Sequence, residues 1–153
     1  MTDALLFLHL LSAFVFVSGA VTAGVLQITA MRRERPSEIA LLLRVTRVAV
    51  LLVVVGALAT LAFGLALVGH EGIGYGTGWV SASIALWVAA IALGGARGRT
   101  ARHARYLAER LATADDRPND ELRALVAHRP SLLLSYASTA AVFAILVLMV
   151  WKP

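Results

Sequence analysis

Four long apolar runs, almost free of charge, alternate with short polar stretches along this 153-residue chain. They are Ala4–Met31, Val48–His70, Gly72–Ala96 and Pro130–Trp151. Each reaches the roughly 20 residues that an α-helix needs to cross a hydrocarbon core. The pattern predicts an all-α protein: a four-transmembrane-helix bundle with spans at about 4–30, 39–69, 77–96 and 130–151. A basic helical segment, 97–129, separates spans three and four. With so little sequence outside the spans, residues 1–153 form a single integral membrane domain.

The punctuation between the runs sharpens these boundaries. Pro36 and Ser37 restart the chain after the first span, and Ser37 is the predicted N-cap of the second helix with Glu38 in its first turn. Five glycines between Gly69 and Gly78 make a loop. After Ala96 the helix is expected to continue through RGRTARHARYLAERLATA, and the DDRPN stretch, Asp115–Asn119, turns the chain with Pro118 closing any helix there. Asp120–His128 reads as a short helix that feeds span four through Pro130, a residue tolerated in a first helical turn. The first run has no basic leader and is longer than the apolar core of a signal peptide, so it reads as a retained helix. No internal repeat supports an inverted-repeat transporter.

Charge then orients the bundle. Of the 14 basic residues, 13 are arginines, and they fall in two stretches, 31–47 and 97–129. Short basic segments stay on the cytoplasmic side, so both stretches are predicted inside. The loop around His70–Gly78 and both termini are then outside, an N-out/C-out topology. Arg44 and Arg47 can snorkel to headgroups, and Trp79, Trp151 and Lys152 are the expected interfacial anchors. The net charge of +5 and the pI near 10.7 would suggest nucleic acid as partner for a soluble chain. Beside membrane spans the same arginines read as topology and lipid contact, which argues against nucleic-acid binding. The partners implied are the lipid bilayer and either a protein partner or a second copy in a homo-oligomer. Arginine used almost to the exclusion of lysine, with much Ala, Val and Leu, points to a bacterial protein of the cytoplasmic (inner) membrane.

Lipid is as apolar as leucine, so packing between spans depends on small residues. Span two offers Gly56, Thr60 and Gly64; span three offers Ser81, Ala85 and Ala89; span four offers Ser131, Ser135 and Ser138. Span one carries Ser12, Ala13, Ala20, Ala23 and Gly24 on one broad side. His9 and Gln27 are 18 positions apart, five turns, and so mark that same face.

Candidate chemistry is sparse. No Asp or Glu lies inside a span, no cysteine is present, and no phosphate loop, His-Glu-x-x-His or Gly-x-Ser-x-Gly element occurs. No nucleophile–base pair can be assembled, so a stand-alone enzyme is the weaker expectation. His9 stands alone: an ionisable side chain within an apolar span is a functional candidate by default, and neutral imidazole ligates haem and metals. His70, at the outer end of span two, is its only same-side partner. The two readings are a cofactor-binding membrane protein using His9 and His70, with haem b as the cofactor class and no metal identified, and a non-catalytic accessory or scaffold subunit packing through small-residue faces. In the second, His9 is a hydrogen-bonded structural histidine. The amphipathic segment 97–129, with Tyr106, Leu107 and Leu111 among arginines, suits a membrane-surface helix or a docking face.

The segments LHLLSAFVFVSGAV (8–21), MRRERPSEIALLLRVTR, TGWVSASIALWVAAIALGG and LVLMVWKP together resemble bacterial predicted integral membrane proteins of domain-of-unknown-function family 2269. That group is distantly similar to CopD-like copper-uptake and HemJ-like haem-pathway membrane proteins. The resemblance implies a multi-pass fold, and Leu8–His9 matches a Leu-His element of HemJ-like first spans. Those proteins also carry a lysine in span three, whereas residues 79–96 here are uncharged.

Overall fold

A computed structural model describes residues 2–96 and 98–151, with the side chains of Ser131 and Leu132 also left aside. The expected anchor Lys152 and the expected packing side chain of Ser131 therefore lie outside the described residues. The chain is helical from α1, Thr2–Met31, through α2, Pro36–His70, and α3, Gly78–Ala96, to α4, Gly98–Thr113, α5, Asp120–Val126, and α6, Arg129–Trp151. Among the described residues four helical stretches are long and apolar enough to cross a membrane. At 1.5 Å per residue, the 30 residues of α1 and 35 of α2 span roughly 45 and 52 Å. Both outrun a ~30 Å hydrocarbon core and project beyond it.

Where α2 starts, the structure corrects the expected cap. Pro36 occupies the first helical position, where its missing N–H costs nothing, and Arg35 precedes it in extended conformation without a side-chain cap. Ser37 sits inside the first turn. Its orphan backbone N–H and its hydroxyl donate to the two carboxylate oxygens of Asp116, at 2.8 and 2.7 Å. The cap is thus supplied from 79 residues away. α5 begins with a local cap: Asn119 Oδ1 accepts from the Leu122 N–H at 3.0 Å.

α1 lies along α2, and α3 along α6; α4 folds back on α2, with α5 against α4 and α1. The interface of α1 and α2 is built on small residues. Gly56 meets the backbone of Phe16, where an added Cβ would stand 2.6 Å from its nitrogen, and Gly19 meets Ala49 and Val53. Along α1 the buried residues are His9, Ser12, Gly19 and Ala30, while Ala20, expected on that face, is exposed. On α3 the buried positions are Val80, Ser83 and Ala90. Ser81, Ala85 and Ala89, expected to pack, lie on the exposed face of the chain. Ser138 of α6 donates to the Ala90 carbonyl at 3.0 Å and ties α6 to α3.

The most buried apolar cluster lies at the arginine-rich end of the spans rather than along their middle. Ile39, Ala40 and Leu43 of α2, Ala104 and Ala108 of α4, and Leu122 and Val126 of α5 close over Ala30. Leu107 and Leu111 pack against this cluster. The apolar face of α4 is thus spent largely on the chain itself rather than left for a membrane surface, and Tyr106 remains outward, under the Arg110 guanidinium. Gln27 of α1 adds a polar tie, donating to the Val126 carbonyl at 2.9 Å. Along the spans, by contrast, Phe7, Phe14, Leu51, Phe143 and Val150 face outward, as lipid contact requires and water would penalise.

Candidate functional site

Between the α1/α2 pair and the α3/α6 pair the backbones make few close approaches, and clefts lie at both ends. The cleft nearer the glycine loop has a volume of about 350 Å³. All four spans line it, among them His9, Thr60, Trp79, Ser83, Trp87 and Met149. Its size falls within the range of small-molecule sites, and its mostly apolar walls with few polar groups match their usual make-up.

His9 is held firmly. Its Nδ1 lies 3.0 Å from the carbonyl oxygen of Thr60 across the α1/α2 interface. A carbonyl only accepts, so Nδ1 carries the proton, and in the neutral ring Nε2 keeps the lone pair. Around this bond the small residues make room: a Cβ on Gly64 would come within 3.0 Å of the imidazole Cε1. The Thr60 hydroxyl donates to the Gly56 carbonyl at 2.7 Å, one turn back, and Ser12 donates to the His9 carbonyl at 2.8 Å. The Gly56–Thr60–Gly64 face of α2 thus both seats α1 and orients one imidazole.

Nε2 of His9 has no hydrogen-bond partner among the described residues, although the residue is only 9% exposed. A second polar atom on the same cleft also lacks a partner. The indole Nε1 of Trp87 is buried without an acceptor. An imidazole lone pair and an indole N–H are complementary in sign: one takes a proton or a metal, the other donates. Leaving a buried polar group unpaired costs about 1–3 kcal/mol, so the Trp87 N–H calls for an acceptor, and the His9 lone pair beside it is open to a ligand. The other hydroxyl there is satisfied, since Ser83 donates to the Trp79 carbonyl at 2.7 Å.

The loop folds back over the end of α2. Tyr75 donates its phenol to the Leu65 carbonyl at 3.3 Å, which the absence of a side chain on Gly69 permits, and Gly72 takes φ +68° to make the turn. Glu71 and Ile73 reach the cleft, but His70 is exposed and does not line it. No group of three His, Asp or Glu side chains able to hold a metal ion occurs among the described residues. Met149 and Trp87 were not legible as site residues in the sequence; a thioether and an indole in apolar helices look like core or lipid-facing positions.

The remaining expected residues lie elsewhere. Arg44 is exposed and 3.9 Å from Glu109, Arg47 lines the second cleft, Trp79 lines the first, and Trp151 is exposed at the end of α6. A family profile described as a predicted integral membrane protein (DUF2269) matches residues 3–153. No curated protein and no solved structure matches the chain.

Proposed function

The chain belongs to DUF2269, a family of predicted integral membrane proteins, and on that footing we propose that this multi-pass protein binds a planar, apolar cofactor of the haem b class in the cleft that His9 lines. The observation that carries this is the His9–Thr60 bond. Ligating histidines almost always donate their other ring N–H to a carbonyl or carboxylate, which fixes the ring and raises ligand basicity; His9 is held in that manner, with Nε2 unclaimed. A bare metal ion would find no group of three His, Asp or Glu side chains to hold it among the described residues. A porphyrin brings four donors of its own and asks the protein for one or two. Met149, on α6, lines the same cleft and offers a soft sulfur as the second ligand; Trp87 offers its N–H to a polar edge. His70 has no part in this site.

The setting we propose is a bacterial inner membrane with the arginine-rich end in the cytoplasm, since short basic segments are retained there. The cleft then opens near the outer leaflet. The test is an absorption spectrum of protein purified in detergent from haem-replete cells, followed by titration with haemin. A Soret band that disappears in His9→Ala and persists in His103→Ala supports the proposal; wild-type protein that neither carries nor takes up haem overturns it.

A second reading has one observation in its favour. Ser81, Ala85 and Ala89 form an outward stripe of small residues on α3, which suits close approach by a helix of another copy or an accessory partner. Ala85→Leu would then shift the oligomeric state in cross-linking or size-exclusion measurements, and an unchanged profile would leave that face to lipid.

A further inference from the structure

The second cleft, about 480 Å³, lies at the opposite end of the spans between α1, α2, the end of α3, α4 and α6. Arg47 from α2 and Arg102 and Arg105 from α4 converge on it, and no Asp or Glu lines it. Three arginines elsewhere have acidic neighbours: Arg33 has Glu38 at 3.5 Å, Arg44 has Glu109 at 3.9 Å, and Arg117 has Asp115 at 3.8 Å. The three cleft arginines form no ion pair among the described residues. Arg102 instead donates its Nε to the Gly98 carbonyl at 3.2 Å, which fixes the plane of its guanidinium.

Below the arginines the wall changes character. Arg47 is the last charge of α2 before its uninterrupted apolar run, and Val50, Ile28 and Ala23 continue the cleft toward the membrane interior. The space exists because side chains are missing. Gly24 and Gly98 both line the cleft, and a Cβ on either would meet nothing within 4 Å. A fork of cations above an apolar slot recognises an amphiphile with a multiply bonded anionic head, and guanidinium matches phosphate oxygens in pairs.

We propose that this cleft is a binding site for a phosphate-bearing ligand, with an anionic phospholipid as the occupant that fills both its halves. The phosphate takes the three arginines and the acyl chain lies along Ile28 and Val50. Free phosphate would satisfy the arginines and leave the apolar half empty.

The full-length protein in detergent is titrated with phosphatidylglycerol, with phosphatidylcholine and with inorganic phosphate, and bound lipid is read by native mass spectrometry beside a thermal melt. Phosphatidylglycerol is expected to bind and to raise the melting temperature, and Arg47→Gln, Arg102→Gln and Arg105→Gln together are expected to weaken it about tenfold or more. Gly24→Leu, which adds a side chain into the slot without touching a charge, is expected to weaken lipid binding while the protein still melts cooperatively. Stabilisation by inorganic phosphate alone, lost in the triple variant and indifferent to Gly24→Leu, would assign the arginines to a soluble phosphate compound and overturn the lipid as occupant. Binding unchanged in the triple variant, or weakened equally by Arg32→Gln with Arg99→Gln, would show only diffuse attraction and overturn the site.

Discussion

Asp116 accepts two hydrogen bonds from Ser37, one from the backbone N–H and one from the hydroxyl, and so fastens the turn after α4 to the first turn of α2. Among the described residues it is the one non-glycine position with positive φ, at 48°, a conformation that Asp tolerates better than most residues. The turn thereby stays close to the start of α2, over the cluster that holds α4 and α5. The cleft lined by Arg102 and Arg105 depends on where α4 is held.

The first prediction follows from the charge on that latch. The Ser37 hydroxyl first, then its N–H and the nearby Arg35, hold the Asp116 carboxyl below its ordinary range. A carboxyl lowered in the folded state adds stability above its unfolded value near ~3.9, and the contribution disappears as pH falls through the lowered value. Melting in detergent between neutral and acid pH is expected to show wild type losing more stability on acidification than Asp116→Asn. Superimposable pH profiles for the two proteins would remove the latch.

Gly56 gives the second. An added Cβ would press on the Phe16 backbone at 2.6 Å, and backbone cannot rotate away as a side chain can. Gly56→Ala is expected to destabilise by about 1–3 kcal/mol, the usual cost of overpacking. At Gly24 the new methyl meets nothing within 4 Å, so Gly24→Ala is expected to be neutral or to gain up to about 1 kcal/mol from helix propensity. Paired thermal melts in the same detergent check this, and equal effects at the two glycines would contradict the α1/α2 geometry.

The third concerns orientation. If the arginine-rich end is cytoplasmic, Asp3→Cys should react with an impermeant thiol reagent in intact cells and Pro118→Cys only after lysis. The native chain has no cysteine to confuse the reading. Reaction at position 118 in intact cells would invert the placement.

The elements were legible because span length, charge segregation and proline placement are local properties. Gly56, Thr60 and Gly64 could be read as one face because an i, i+4 spacing keeps its side whatever the helix meets. Which face of α3 turns inward could not be read in the same way. Ser81, Ala85 and Ala89 are a regular small-residue stripe, yet Val80, Ser83 and Ala90 are the buried residues, since the partner's position decides and one sequence does not encode it. Ser37 looked like a local cap; its acceptor, Asp116, comes from a turn far along the chain. At the candidate site His9 stood out because charge is rare in an apolar span, whereas Trp87 and Met149 carry no such signal. Only the meeting of two helix pairs puts them on one cleft.

The last prediction divides the work between His9 and Met149. The imidazole is positioned by a bond to a backbone carbonyl, so no single side-chain replacement on α2 frees it, whereas the thioether arrives on α6 from the other helix pair. If both ligate one iron, haem-loaded wild type is low-spin. Met149→Leu keeps the volume, removes the sulfur and should leave a Soret band of high-spin form, while His9→Ala should remove the band altogether. Gly64→Ala crowds the ring from behind at 3.0 Å and should lower haem affinity with His9 still in place. A merely structural His9 would lose only about 1 kcal/mol on truncation, the worth of one hydrogen bond, and haem uptake in His9→Ala equal to wild type would end its role as a ligand.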